Sequence, residues 1–219
     1  MNVRPARLAA IAALSVLLGV RDAMASAPRS GDQLLARAAA IPGCRSYAVP
    51  VHFAVHVHRP IGVHVGVDGE AYYRAPGDAA LVITKAPGIV GAFFHGTYRL
   101  DVVPQAWSAR YHVTGVTHAS DAGGPVTVLS ALPLAGAGDI ARVTFRIDDR
   151  THAPVGASWL YTDGSTIVLT FANGPVGAAL APQSATIAVD MPKSKLEATV
   201  TYGAYAMNVP IDPSVFATT

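Results

Sequence analysis

From Ser46 onward, apolar residues recur at every second position with scarcely a pause, and this period constrains the fold more than any other feature. Side chains on a strand alternate between faces, so a period of two marks strands with one face turned to a core. Val51, Phe53, Val55 and Val57 alternate with His52, Ala54, His56 and His58. Arg59-Pro60 makes a corner, after which Ile61, Val63, Val65 and Val67 alternate with Gly62, His64 and Gly66. Asp68-Gly69 reads as a hairpin turn, followed by a strand through Tyr72 and Tyr73 to Arg74. Pro76-Gly77-Asp78 turns the chain into Ala80–Thr84. Ile89–Phe94 is apolar without clear alternation and suits a short helical cap as well as a strand.

The second half continues as a meander, with strands expected over Tyr98–Val103, Ala109–Val116, Val126–Leu132 and Arg142–Asp148. Asp163-Gly164 is the strongest hairpin signal, between Trp159–Thr162 and Thr166–Phe171. A two-residue loop would set Trp159 opposite Val168 and Leu160 opposite Ile167. Large apolar groups would then stand on both faces, which implies that something covers or fills both sides. Ile187, Val189 and Met191, and then Leu196, Ala198, Val200 and Tyr202, complete the alternation. Aromatic residues, Trp107 among them, are spread over these strands.

One helix is expected ahead of the strands. Asp32 is placed to cap it, Leu34, Leu35, Ala38 and Ile41 share a stripe, and Pro42-Gly43 ends it. Gly 20 and Pro 16, with Glu70 and Glu197 the only glutamates, point away from further long helices. The expected fold is therefore mainly β: a curved antiparallel sheet, an incomplete or half β-barrel of about ten strands, with an N-terminal helix and a small helical cap.

The first 25 residues read differently. Arg4 and Arg7 precede an apolar run, Leu8–Val20, too short to span a bilayer, and Ala23-Met24-Ala25 forms a cleavage site. Residues 1–25 are expected to be a signal peptide and 26–219 a single domain, periplasmic or extracellular and with no transmembrane anchor. Setting aside Arg4, Arg7, Arg21 and Asp22, the remaining charges cancel, so the body offers no basic footprint for nucleic acid. Cys44 stands alone and forms no intramolecular disulfide.

Catalytic templates are missing: no G-x-S-x-G elbow, phosphate-binding loop, dinucleotide glycine pattern or H-E-x-x-H. Asp148-Asp149 would point to opposite faces of a strand and are read as a turn with Arg150. The expectation is a protein that is not an enzyme and needs no cofactor. Histidine is the exception to this blandness. His52, His56 and His58 share a face of one strand, and His64 lies on the next. An H-x-H pair with a third ligand across the ladder can hold zinc or copper, which makes His56, His58 and His64 the candidate metal ligands. The competing reading, a solvent-facing stripe that binds no metal, is the one adopted.

Taken in order, these elements resemble the outer-membrane lipoprotein carrier (LolA/LolB-like) superfamily. The resemblance runs from Asp32 to Phe216. It rests on Gly69-Glu70-Ala71-Tyr72-Tyr73-Arg74-Ala75-Pro76-Gly77, on the meander with its Asp-Gly hairpin, and on the tail Asn208–Phe216. It implies a half-barrel capped by helices, with an apolar concave face for a lipid, an acylated ligand or another apolar ligand. The same scaffold also implies a second class of role, sensing or contact with another envelope protein. The carriers' gating Arg, a few residues after the Pro, has no counterpart in Gly77–Leu81. Trp159, Tyr161 and Val168 are expected to line the cavity, the rings at its wet mouth, with Phe93 or Phe94 closing over it.

Overall fold

The structure is a computed structural model and describes residues 30–59, 62–87, 103–134 and 139–216. Helix α1 (Gly31–Ala39) buries Leu35, Ala38 and Ala39; of the expected stripe, Leu35, Ala38 and Ile41 are buried and Leu34 is half-buried. Asp32 lies inside this helix and reaches away from it. Its carboxylate accepts from the Val113 backbone N–H at 2.7 Å and contacts His112 Nδ1 at 2.9 Å.

Among the described residues eleven strands follow: β1 (Ser46–Arg59), β2 (Val63–Arg74), β3 (Asp78–Lys85), β4 (Tyr111–Asp121), β5 (Gly124–Pro133), β6 (Ile140–Asp148), β7 (Pro154–Tyr161), β8 (Thr166–Val176), β9 (Ala179–Met191), β10 (Ser194–Tyr202) and the short β11 (Ala206–Met207). They form one antiparallel, curved, open sheet in the order β3-β2-β1-β10-β9-β8-β7-β6-β5-β4, with β11 added to β1. Strands adjacent in the sheet are consecutive in sequence except at β1–β10, which brings the two halves together, and at β1–β11. The edge strands β3 and β4 do not pair, but Arg110, just before β4, donates to the Ala79 carbonyl on β3. Asp32 likewise occupies a backbone N–H on the free edge of β4. Side chains that engage an edge limit its use as a template for foreign strands.

Besides the capping role expected of Asp32, three expectations about the strands fail, each for a local reason. Asp68-Gly69 is not a turn: β2 runs through it, with Gly69 opposite Val51 and a bulge in its pairing with β3. Glycine is needed there because a Cβ would stand 2.8 Å from the Val82 carbonyl oxygen. At Asp163-Gly164 the loop has three residues, closed by Tyr161 N–H donating to the Ser165 carbonyl, with Gly164 at φ +84°. The extra residue sets Trp159 opposite Ile167 and Val168 opposite Ser158. A slip of one position exchanges faces, so Val168 stands on the convex side, 42% exposed, and that side is not covered there. Trp107, finally, is not on a strand but in a 3-10 turn (Pro104–Ala109) opened by Pro104.

The core lies against the concave face. Every second residue of β1 from Tyr47 to Val57 is buried, and paired residues continue the pattern across the sheet. Trp107 fills the middle from above, its ring 4.6 Å from Phe145, 5.9 Å from Phe171 and 6.4 Å from Trp159. The end of the sheet where β1 begins is filled by Tyr47, Tyr73, Tyr202 and Tyr205 in mutual ring contact. Asn208 secures the tail there: Oδ1 accepts from the Arg45 N–H at 2.8 Å and Nδ2 donates to the Gly43 carbonyl at 3.1 Å.

Candidate functional site: the concave apolar face

The register makes continuous rows across the concave face. One row runs Val63, Val57, Leu196, Val189, Ile167, Trp159, Val143, Ala131 through eight strands. Its cover is uneven. Val143 and Trp159 are buried, Trp159 against the Trp107 ring, whereas Val63 and Leu196 are half-buried. Val65, Ile83, Met191 and Ile140 are half-buried as well, although they too face inward. The open part of the face is therefore the end where β1 passes into β2. Aromatic residues aside, the only buried polar side chains among the described residues are Gln105 and Ser165, and no charge is buried. Such a surface holds an apolar group by excluding water and offers it no ionic partner.

Trp159 and Tyr161 point to the concave side, as a period of two requires, but neither stands at a wet rim. Trp159 is 1% exposed and its indole N–H donates to the Tyr111 hydroxyl at 2.9 Å. Tyr161 is buried too. Val168 is on the opposite face and cannot join them. Phe93, Phe94, the cap over Ile89–Phe94, the strand at Tyr98–Val103 apart from Val103, and the segment 1–25 lie outside the described residues. The half-open residues Val63, Val65, Ile83, Met191 and Leu196 were in the sequence only as ordinary inward positions. No local signal separates a covered valine from an uncovered one, because cover comes from remote elements such as Trp107.

The phenols at the closed end are strongly perturbed. Burial, followed by the neighbouring Tyr205 and Tyr202, pushes the Tyr47 hydroxyl far above its ordinary range, and it donates to Gln105 Oε1 at 2.6 Å. Burial raises Tyr202 and Tyr205 in the same direction. Burial also raises the Cys44 thiol, which donates to the Ser46 carbonyl at 3.3 Å and is a poor nucleophile in consequence. Asp148 forms the expected turn, accepting from the N–H groups of Arg150 and Thr151.

On the convex face His56, His58 and His64 do come together. His56 pairs with His64 across the ladder, and its ring stacks on His64 with centroids 3.9 Å apart and planes 15° from parallel. His58 packs against it from the other side at 3.9 Å. Stacked rings run their in-plane lone pairs side by side. Among the described residues no three histidine, cysteine or carboxylate side chains converge to hold a metal ion. His52 lies apart, with its Nδ1 2.6 Å from Asp68 on β2.

The three-dimensional arrangement matches known structures over most of its length. A LolA superfamily protein from Nitrosomonas europaea superimposes with a TM-score of 0.61 at 10% identity, covering 86% of this chain and 98% of that one. The fold is LolA-like. A putative outer membrane lipoprotein-sorting protein domain from Vibrio parahaemolyticus gives 0.59 at 9% identity over 83% and 92% of the two chains. A DUF1329 family protein from Desulfovibrio piger gives 0.57 at 11% identity over 85% and 95%. No family model and no curated protein matches the sequence itself. No helix among the described residues of the LolA-like chain is long and apolar enough to cross a membrane.

Proposed function

We propose that this protein is exported to the cell envelope and holds a lipid, an acyl chain or a similar apolar ligand against the concave face of its LolA-like sheet, as a carrier and without catalysis. The observation that carries the reading is the chargeless inner surface left half-open at Val63, Val65, Ile83, Met191 and Leu196. Trp159 and Tyr161 form the covered floor toward which an inserted chain runs. A neighbour described as a lipoprotein-sorting domain supports an acylated cargo. The signal-peptide pattern of residues 1–25 supports export.

Burying about ten methylenes yields on the order of 8 kcal/mol before ordering costs, enough for micromolar binding to a preformed surface. The test is mass spectrometry of organic extracts from protein purified from its host, followed by titration with a long-chain fatty acid. Leu196→Asp, which sets a charge on the half-open part of the row, is expected to abolish saturable binding while the far-ultraviolet spectrum stays strand-like. Binding that survives Leu196→Asp places the ligand elsewhere. Absence of any co-purifying or titrating lipid refutes the carrier reading and leaves contact with another envelope protein.

A further inference from the structure

The strands that carry the half-open rim carry the histidine stack on their other face. Val57 and His56 are neighbours on β1, as are Val63, His64 and Val65 on β2. His56 is opposite both His64 and Glu197, so its ring sits in the centre of the three-strand surface made by β2, β1 and β10. Among the described residues the charged and titratable groups around it are few. From β1 come His52, His58 and Arg59; from β2, His64 and Asp68; from β10, Glu197 and Lys195; from β9, Asp190. Most of these are already engaged. Asp68 holds His52, while Asp190 lies 3.7 Å from Arg59 and 3.5 Å from Lys195. Among the described residues that leaves Glu197 alone for three rings, and its Oε2 stands 3.6 Å from His58 Nε2, an atom screened from solvent without a hydrogen-bond partner.

We propose that His56, His58 and His64 form an acid-sensitive fastener for the β1–β2 hairpin: neutral rings stack and hold the end where β1 passes into β2, and protonated rings force the two strands apart beside the apolar rim. One carboxylate can offset one imidazolium. A second charge, on a ring about 4 Å away, meets only repulsion. In agreement, desolvation and then His58 and His64 hold the His56 ring below the ordinary histidine range, with Glu197 opposing weakly. The sign follows from linkage. A histidine held low in the fold takes up its proton more readily in the unfolded chain, so its contribution is complete at neutral pH and declines as pH falls below about 6.5. Because each strand is stiff and its faces are fixed by the pleat, displacing His56 or His64 displaces Val57, Val63 and Val65 with it. Release of a held acyl chain on acidification is the consequence, and that step alone rests on the function proposed above.

The experiment is amide hydrogen exchange on the intact protein, corrected for intrinsic rates, at about pH 7.5 and about pH 5.5, on either side of histidine titration. Protection over 55–58 and 63–66 is expected to fall roughly fivefold at the lower pH, the factor set by like charges about 4 Å apart in bulk water. Protection in β6 and β7, which carry no histidine, stays constant. His64→Gln, and His56→Gln with His64→Gln, remove the fall. Protection that is independent of pH, or a fall that persists in the double variant, overturns the fastener. So does a fall of equal size in β6 and β7. A local fall in a protein that holds no lipid at either pH supports the fastener and overturns the carrier reading instead.

Discussion

Replacing Trp107 by alanine tests the claim that a 3-10 turn, not a helix or a strand, roofs the middle of the concave face. Trp107 is 0% exposed and packs on Phe145, Phe171 and Trp159. Truncation removes roughly 150 Å² of buried apolar area, worth about 4 kcal/mol at 25 cal/mol per Å². Lost ring-on-ring contacts add on the order of 1 kcal/mol. The expected cost is about 4–5 kcal/mol, the upper part of the range for large aromatic truncations. Domains of this kind are stable by about 5–15 kcal/mol, so the variant folds with a much reduced margin. Equilibrium urea unfolding measures the loss: with a slope near 2 kcal/mol per molar, the midpoint drops by about 2 M. The chain has 2 tryptophans, so the emission of the variant comes from Trp159 alone and reports directly on the exposed floor. The vacated space is apolar and dry, and a small apolar ligand such as benzene is expected to recover part of the stability. A loss below about 1 kcal/mol, with Trp159 emission still that of a buried indole, would show that something other than this turn covers the sheet.

Val168→Asp is expected to change stability by no more than about 0.5 kcal/mol, whereas Leu169→Asp, at a 1% exposed concave position, leaves the chain unfolded. Thermal melts of the pair decide the register, and the reverse order would restore the two-residue loop. Asp32→Ala removes the acceptor of the Val113 N–H and is expected to cost about 1–2 kcal/mol, with faster exchange at that amide; unchanged exchange would mean that the edge of β4 is protected in another way. The buried phenols of Tyr47, Tyr202 and Tyr205 are raised in the fold, so their contribution is complete below about pH 10 and is lost as pH rises through their folded values. Spectrophotometric titration should therefore show their tyrosinate absorbance appearing together with loss of the fold. Tyrosinates that all form near the ordinary value in an intact sheet would contradict the packing of the closed end.

The sequence announced the strands because an antiparallel sheet with one buried face writes its period into every strand, and β1 from Tyr47 to Val57, β9 from Ala185 to Asp190 and β10 from Glu197 to Tyr202 keep that period. Turn chemistry was a weaker guide. Asp-Gly occurs twice in the alternating region, at Asp68-Gly69 and Asp163-Gly164, and only the second turns the chain. At the first, glycine answers the close approach of the Val82 carbonyl, a demand made by a strand ten or more residues away. At the second the turn was right and its length was not, and that single residue carried Val168 out of the candidate site. Trp107 escaped because 3-10 turns have no period to read; Pro104 at its start was the one available sign. The open rim was illegible for a further reason. Val57 and Val63 are the same residue type facing the same side in paired positions, yet one is buried and the other is not.

A strand that alternates strictly cannot change one face without moving the other, and this binds the two chemistries of β1 together. Its inward residues contribute apolar surface whose worth depends on the curvature of the sheet. Its outward residues at His52, His56 and His58 have no role in that core and were free to be threonine or lysine, residue types that ordinarily occupy an outer face. Threonine there would favour the strand, and lysine would keep its charge at any physiological pH. Histidine alone makes the outer face of this hairpin neutral or charged according to pH. His56, His58 and, from β2, His64 in ring contact, against one available carboxylate among the described residues, make the stack's charge a load on the very strands that bound the half-open rim. The position of the stack matters more than its number. At the tyrosine end, where the tail and Asn208 secure β1, the same repulsion would be resisted by hydrogen bonds from residues far along the chain. At the end where β1 passes into β2 no side chain from elsewhere plays that part among the described residues, so beyond the short connection itself the load falls on the pairing of Val57 with Val63.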